Sequence, residues 1–143
     1  MKKRFLHCML ILILVSYTYS CKKETKQNNK ETTLSLEGLT LNNNEKWIAN
    51  KETHIGMSNI DSILKNNSFS EGKLLGNALS KETSIIIKSC NMTGEAHDQL
   101  HIVLVPILEE IIELKETDKI EDSKSTLVEL EALVDTYFSH FKL

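Results

Sequence analysis

After residue 50 the apolar positions recur at steps of three and four, the spacing that lines up side chains on one face of a helix, and they do so in four segments. The first, His54 to Asn66, follows Thr53 as a candidate N-cap and carries Ile60, Ile63 and Leu64. The second, Ser70 to Cys90, aligns Leu75, Ala78, Leu79, Ile85, Ile86 and Cys90, with Glu82 as its one polar interruption. The third, Gly94 to Glu116, follows Thr93 and runs His97, His101, Leu104, Leu108, Ile111, so both histidines are expected to face inward. Pro106 removes one backbone donor inside this segment and predicts a kink. The fourth opens after Asp118, where Asp118-x-x-Glu121 has the form of a capping box, and presents Leu127, Leu130, Leu133 or Val134, Tyr137 and Phe141. Upstream, Leu39-Thr40-Leu41 and Trp47-Ile48-Ala49 flank Asn42-Asn43-Asn44, the pattern of a short hairpin or an arm laid across the helices. Connections this short favour antiparallel neighbours, so the expected fold is all-α: an antiparallel, up-down four-helix bundle.

The N-terminal residues follow a different logic. Met1–Arg4 is basic, Phe5 to Val15 is apolar, and Ser16 to Ser20 turns polar ahead of Cys21, which reads as a secretory signal peptide over residues 1–20. The apolar run falls short of the about 20 residues that a spanning helix needs. With Cys21 directly after a small residue, the segment resembles a bacterial lipoprotein lipobox, in the looser form of Bacteroidota-type bacteria, with Thr18 where the pattern usually has Leu. The resemblance implies cleavage before Cys21, acylation there, and a stable membrane anchor at the cell envelope, the outer membrane favoured, on its periplasmic or surface face. Residues 21–35 then hold the lipidated Cys and a polar tether of about 20 Å root-mean-square span, and residues 36–143 form the helical domain.

Composition narrows the functional classes. The chain of 143 residues is 41% hydrophobic and 26% charged with 5 Gly and 1 Pro, which suits one compact domain and rules out a low-complexity chain. Without the first twenty residues it carries 14 Lys and Arg against 20 Asp and Glu, a net charge of −6, the wrong sign for a nucleic-acid binder.

Up-down topology has a further implication that the linear sequence hides, because alternate helix ends share a pole. One pole collects Cys90, Met92, His97 and His101, together with His54, Met57 and His140. His97 and His101, four apart, can chelate one ion, while a thiolate and a thioether are soft donors suited to Cu(I), with Zn(II) the alternative through thiolate and imidazole. Cys90, Met92, His97 and His101 are therefore the candidate metal ligands, with His54, Met57 and His140 as outlying ones. The opposing reading makes the same residues core and surface: Cys is common in cores, and a buried His often only bonds a carbonyl or carboxylate.

The run Cys90-Asn91-Met92-Thr93-Gly94-Glu95-Ala96-His97-Asp98-Gln99-Leu100-His101 is similar to that of a group of small Bacteroidota-type lipoproteins with a Cys-x-Met-x-Gly-x-x-His-Asp-x-Leu-His core. That resemblance implies a shared fold and site and brings no activity with it. Catalysis is not expected. A di-iron bundle needs two Glu-x-x-His motifs where only Asp98-x-x-His101 comes near, no Cys-x-x-Cys-His sequence exists to attach haem, and Cys90 with His97 lacks a recognisable oxyanion element. Two functions stand: an envelope protein that binds copper, or a tethered bundle that docks on an envelope protein without metal. Lipidation is testable by itself: palmitate incorporation is expected in the wild type and lost in Cys21→Ala, and label that persists in the variant removes the anchor.

Overall fold

The structure, a computed structural model, describes residues 34–143. The signal-peptide and Cys21 assignments, and the tether up to residue 33, lie outside the described residues. The chain within them forms β1 (Trp47–Ile48), α1 (Lys51–Lys65), α2 (Gly72–Ser89), α3 (Glu95–Lys115), a 3-10 turn (Ile120–Ser123), α4 (Lys124–His140) and β2 (Phe141–Lys142). Each helix packs on its neighbours in sequence, and α1 also packs on α4, which closes the ring. Among the described residues no helix is long and apolar enough to cross a membrane.

One core fills the space between the helices. Met57, Ile60, Leu75, Leu79, Ile86, Val103, Ile107, Leu114, Leu130 and Tyr137 are fully buried in it. Side chains cross between helices near their ends and midway: Asn50 Nδ2 donates to Ser89 O at 3.1 Å and Thr126 Oγ1 to Glu113 Oε1 at 3.1 Å, while Asn59 Nδ2 donates to Glu82 Oε2 at 2.9 Å between the middles of α1 and α2. Where α2 begins, Gly72 lies against the Leu114 and Thr117 carbonyls, so close that a Cβ would stand 2.7 and 2.8 Å from them.

Several local expectations are corrected. Helix α1 starts at Lys51 after Asn50, and Thr53, expected as the cap, is a fully buried residue of its first turn whose Oγ1 donates to Asn50 Oδ1 at 2.5 Å. The Asp118-x-x-Glu121 pattern opens the 3-10 turn rather than the α-helix, which begins at Lys124. Helix α3 follows Gly94 rather than Thr93.

The hairpin does not form, and the fold is mostly rather than wholly helical. Asn42 and Glu45 exchange both backbone hydrogen bonds at 2.9 Å around Asn43 and Asn44, at φ 50° and 69°, the left-handed pair that asparagine tolerates. Pairing stops after that bridge. Trp47–Ile48 instead runs parallel to Phe141–Lys142, with Trp47 opposite Phe141. Burial accounts for the choice: Trp47 and Ala49 turn inward against the core while Leu41 and Ile48 stay exposed, so pairing with the C-terminal strand buries the tryptophan and pairing with residues 39–41 would not.

The segment before β1 lies as an arm across α3 and α4. Leu34 N–H donates to Thr136 Oγ1 at 2.9 Å, Lys46 Nζ to Phe138 O at 2.6 Å, and the Trp47 indole to Thr40 O at 2.7 Å. Because backbone rather than a flexible side chain faces Gly72, Gly72→Ala is expected to destabilise the fold by about 1–3 kcal/mol, despite the better helix propensity of alanine. Urea unfolding followed by helix circular dichroism checks it.

Candidate functional site

Helix α2 ends because Cys90 leaves helical geometry at φ −66°, ψ 119°, its N–H still bonded to Ile86 O at 2.9 Å. Residues 91–93 carry the chain across to Gly94, which sits at φ 65°, ψ −154°, a region that only glycine occupies without strain. His97 N–H and Asp98 N–H then bond Gly94 O at 3.0 and 3.1 Å, and α3 begins. This glycine sets the angle at which the first turn of α3, with His97, meets the thiol at the end of α2.

His97 and His101 face each other. Their Nε2 atoms lie 3.0 Å apart and their rings meet edge to face with centroids 4.6 Å apart. One ring must donate Nε2–H and the other accept, so the two imidazoles hold different tautomers. Both line a cavity of about 230 Å³ between α2 and α3, together with Cys90, Ile87, Leu104 and Leu108. The histidines were expected to point into the core; His101 is exposed and His97 half-buried. The core stripe of α3 is Leu100, Val103, Leu104, Ile107, Ile111, Leu114, one residue round from the expected one. Almost every residue from Ile102 to Leu108 is apolar, so two adjacent stripes fit the sequence, and packing into the shared core selects the second.

The other candidates separate. Met92 is half-buried against the core and does not line the cavity. Met57 is fully buried. His140 donates Nδ1–H to Thr136 O at 2.9 Å and faces a second cavity formed with Leu34, Ser35, Leu36 and Leu39 of the arm. His54 Nδ1 lies 3.2 Å from the Tyr137 hydroxyl and its ring meets Phe138 edge to face. Burial, and secondarily the Coulombic influence of nearby Cys90, push the Tyr137 phenol well above its ordinary range.

Metal ligation has a geometric requirement. A metal 2.0–2.1 Å from each nitrogen would see a pair 3.0 Å apart at about 95°, whereas a tetrahedral site needs about 3.3 Å, so a small rotation of one imidazole suffices. Among the described residues no three His, Cys, Asp or Glu side chains stand together as a formed metal group, so Cys90 would have to turn toward the pair to complete one. Of the three donors on this cavity only the thiolate is soft, and imidazole serves copper and zinc alike, so the set is compatible with Cu(I) or Zn(II).

Gln99 carries a role that the pattern of residues did not reveal. It is buried between the two histidines in sequence, its Oε1 accepting from Thr40 N–H at 2.7 Å and its Nε2 donating to Gly38 O at 3.1 Å. The amide thus clips the arm to the turn that carries the imidazoles. A polar residue one step before a buried leucine was the available signal.

Neither a family model, nor a curated protein, nor a solved structure matches the chain.

Two outcomes follow from this geometry. A Cβ at Gly94 would meet nothing within 4 Å, so the cost of Gly94→Ala is backbone strain alone, about 1–3 kcal/mol in chemical denaturation. Tyr137 gives a pH dependence. Its folded pKa lies above the unfolded value of about 10, so its contribution is intact below that pH and is lost as pH rises further, at up to about 1.4 kcal/mol per pH unit. Unfolding curves above pH 10 are expected to show this slope in the wild type and a shallower one in Tyr137→Phe.

Proposed function

We propose that the protein is a lipid-anchored protein of the cell envelope, favoured at the outer membrane, whose helical domain binds one soft metal ion at His97, His101 and Cys90. Copper as Cu(I) is the favoured ion and zinc the alternative. The role is binding rather than catalysis, with the membrane as partner through Cys21 and no nucleic acid involved. The observation that carries the reading is the facing Nε2 pair, 3.0 Å apart, on the same cavity as the free thiol of Cys90. Met92 is the least direct of the four central candidates, and His54, Met57 and His140 act as structure.

The proposal includes the up-down antiparallel arrangement of α1 to α4. Asn50 meeting Ser89, Gly72 meeting Leu114, Thr126 meeting Glu113 and His54 meeting Tyr137 all support it, since each joins the start of one helix to the end of another. It also includes the division into signal peptide 1–20, anchored tether 21–35 and bundle 36–143.

A second reading keeps the anchor and omits the metal: the domain docks on an envelope protein. Ile87 and Val105, 56% and 45% exposed beside the cavity, favour it.

Residues 22–143 titrated with Cu(I) against a competing chelator without oxygen, and separately with Zn(II), distinguish the two. One Cu(I) per chain is expected, and Cys90→Ser or His101→Ala is expected to weaken it beyond the about 10–100-fold that loss of an outer-sphere partner costs. Met92→Ala is expected to change affinity far less. Absence of binding, or affinity indifferent to Cys90 and His101, leaves the docking reading.

A further inference from the structure

The cavity beside the imidazole pair has two chemically distinct ends. Its body is apolar, walled by Ile87 of α2 and Leu100, Leu104, Val105 and Leu108 of α3, and its polar groups are gathered at Cys90, His97 and His101. A water in the body would lack the two to four polar partners that hold buried water, so this space favours an apolar occupant. Cavities of about 150 Å³ with such walls take up benzene. At about 230 Å³ there is room for more than a ring, on the order of six to eight chain carbons.

The polar end points to the head group. In the facing pair only one imidazole donates Nε2–H, because the other must accept it. A carboxylate supplies two acceptor oxygens at once, so both rings can take the Nε2–H tautomer and donate outward, doubling the hydrogen bonds made by the two nitrogens. Both histidines also sit in the first two turns of α3, whose dipole favours an anion there. Glu95 and Asp98 on the opening turn are exposed, partly offset that field, and do not line the cavity.

We infer that this cavity is a binding site for a short-chain carboxylate, with the aliphatic tail between α2 and α3 and the carboxylate accepting hydrogen bonds from His97 and His101. The inference needs no metal and goes beyond the copper reading.

Calorimetric titration of the metal-stripped protein, in excess chelator, with the straight-chain acids from butanoate to dodecanoate tests it separately from that reading. One site per chain is expected, tightening by about fourfold per methylene and ceasing to tighten at about six to eight carbons, where the cavity is full. Val105→Trp, at the exposed mouth, is expected to abolish binding, while Ile112→Trp, exposed and outside the lining, leaves it unchanged. Helix circular dichroism establishes that both variants are folded. His101→Gln is expected to weaken hexanoate by about tenfold or more while leaving hexanol unchanged. No saturable binding, affinity that climbs through dodecanoate and ignores Val105→Trp, or equal losses for hexanoate and hexanol in His101→Gln would each overturn the assignment.

Discussion

The buried face of Tyr137 holds the structure together beside the candidate site. Its ring is inaccessible to solvent, stacks on Phe141 with centroids 5.0 Å apart and planes within 7°, and meets Phe138 edge to face. Phe141 is the residue opposite Trp47 in the parallel ladder, so the same stack seats the N-terminal arm. The hydroxyl reaches His54 on α1, and Cys90 at the end of α2 lies near enough to help raise the phenol above its ordinary range. One aromatic side chain on α4 therefore bears on α1, on the end of α2 and, through Phe141, on the arm. Gln99 makes the corresponding connection on α3, through the arm.

Helix existence was legible because each apolar face repeats over several turns, and tertiary packing then needs only to choose among nearly equivalent stripes. Where the choice was close it went the other way: α3 turned its histidines to the cavity rim. Starts of helices were harder. Thr53 and the Asp118-x-x-Glu121 pattern both have cap chemistry, yet Asn50 and the 3-10 turn take those places, with Thr53 and Ser123 buried instead. The parallel strand pair left no trace in local pattern, since its partners lie at opposite ends of the domain and each strand has only two residues.

The candidate site was legible in part, and the reason is one of scale. An up-down bundle would gather residues to the same pole, which is many ångströms across, while coordination demands agreement within a few tenths of an ångström. The i, i+4 spacing of His97 and His101 operates at that finer scale and brings the two Nε2 atoms face to face. Cys90 follows because it ends the preceding helix beside them. Met57, Met92 and His140 do not join them: one is swallowed by the core, one packs on its edge, and one is captured by a carbonyl of its own helix. Gln99 illustrates the converse limit, a polar residue whose partners, Gly38 and Thr40, are some sixty positions away.

The arm has a mechanical meaning. A pull arriving from upstream of Leu34 meets a series of fasteners before it strains any helix: the Leu34 bond to Thr136, the double clip of Gln99 on Gly38 and Thr40, the Lys46 bond to Phe138, and then the Trp47–Phe141 pairing. These fasteners are loaded in sequence rather than together, so they peel one at a time and spread the work of detachment over distance. Tension on the chain would break the Leu34 bond first and next free the turn of α3 that carries the two imidazoles from its clip, while the four helices remained packed.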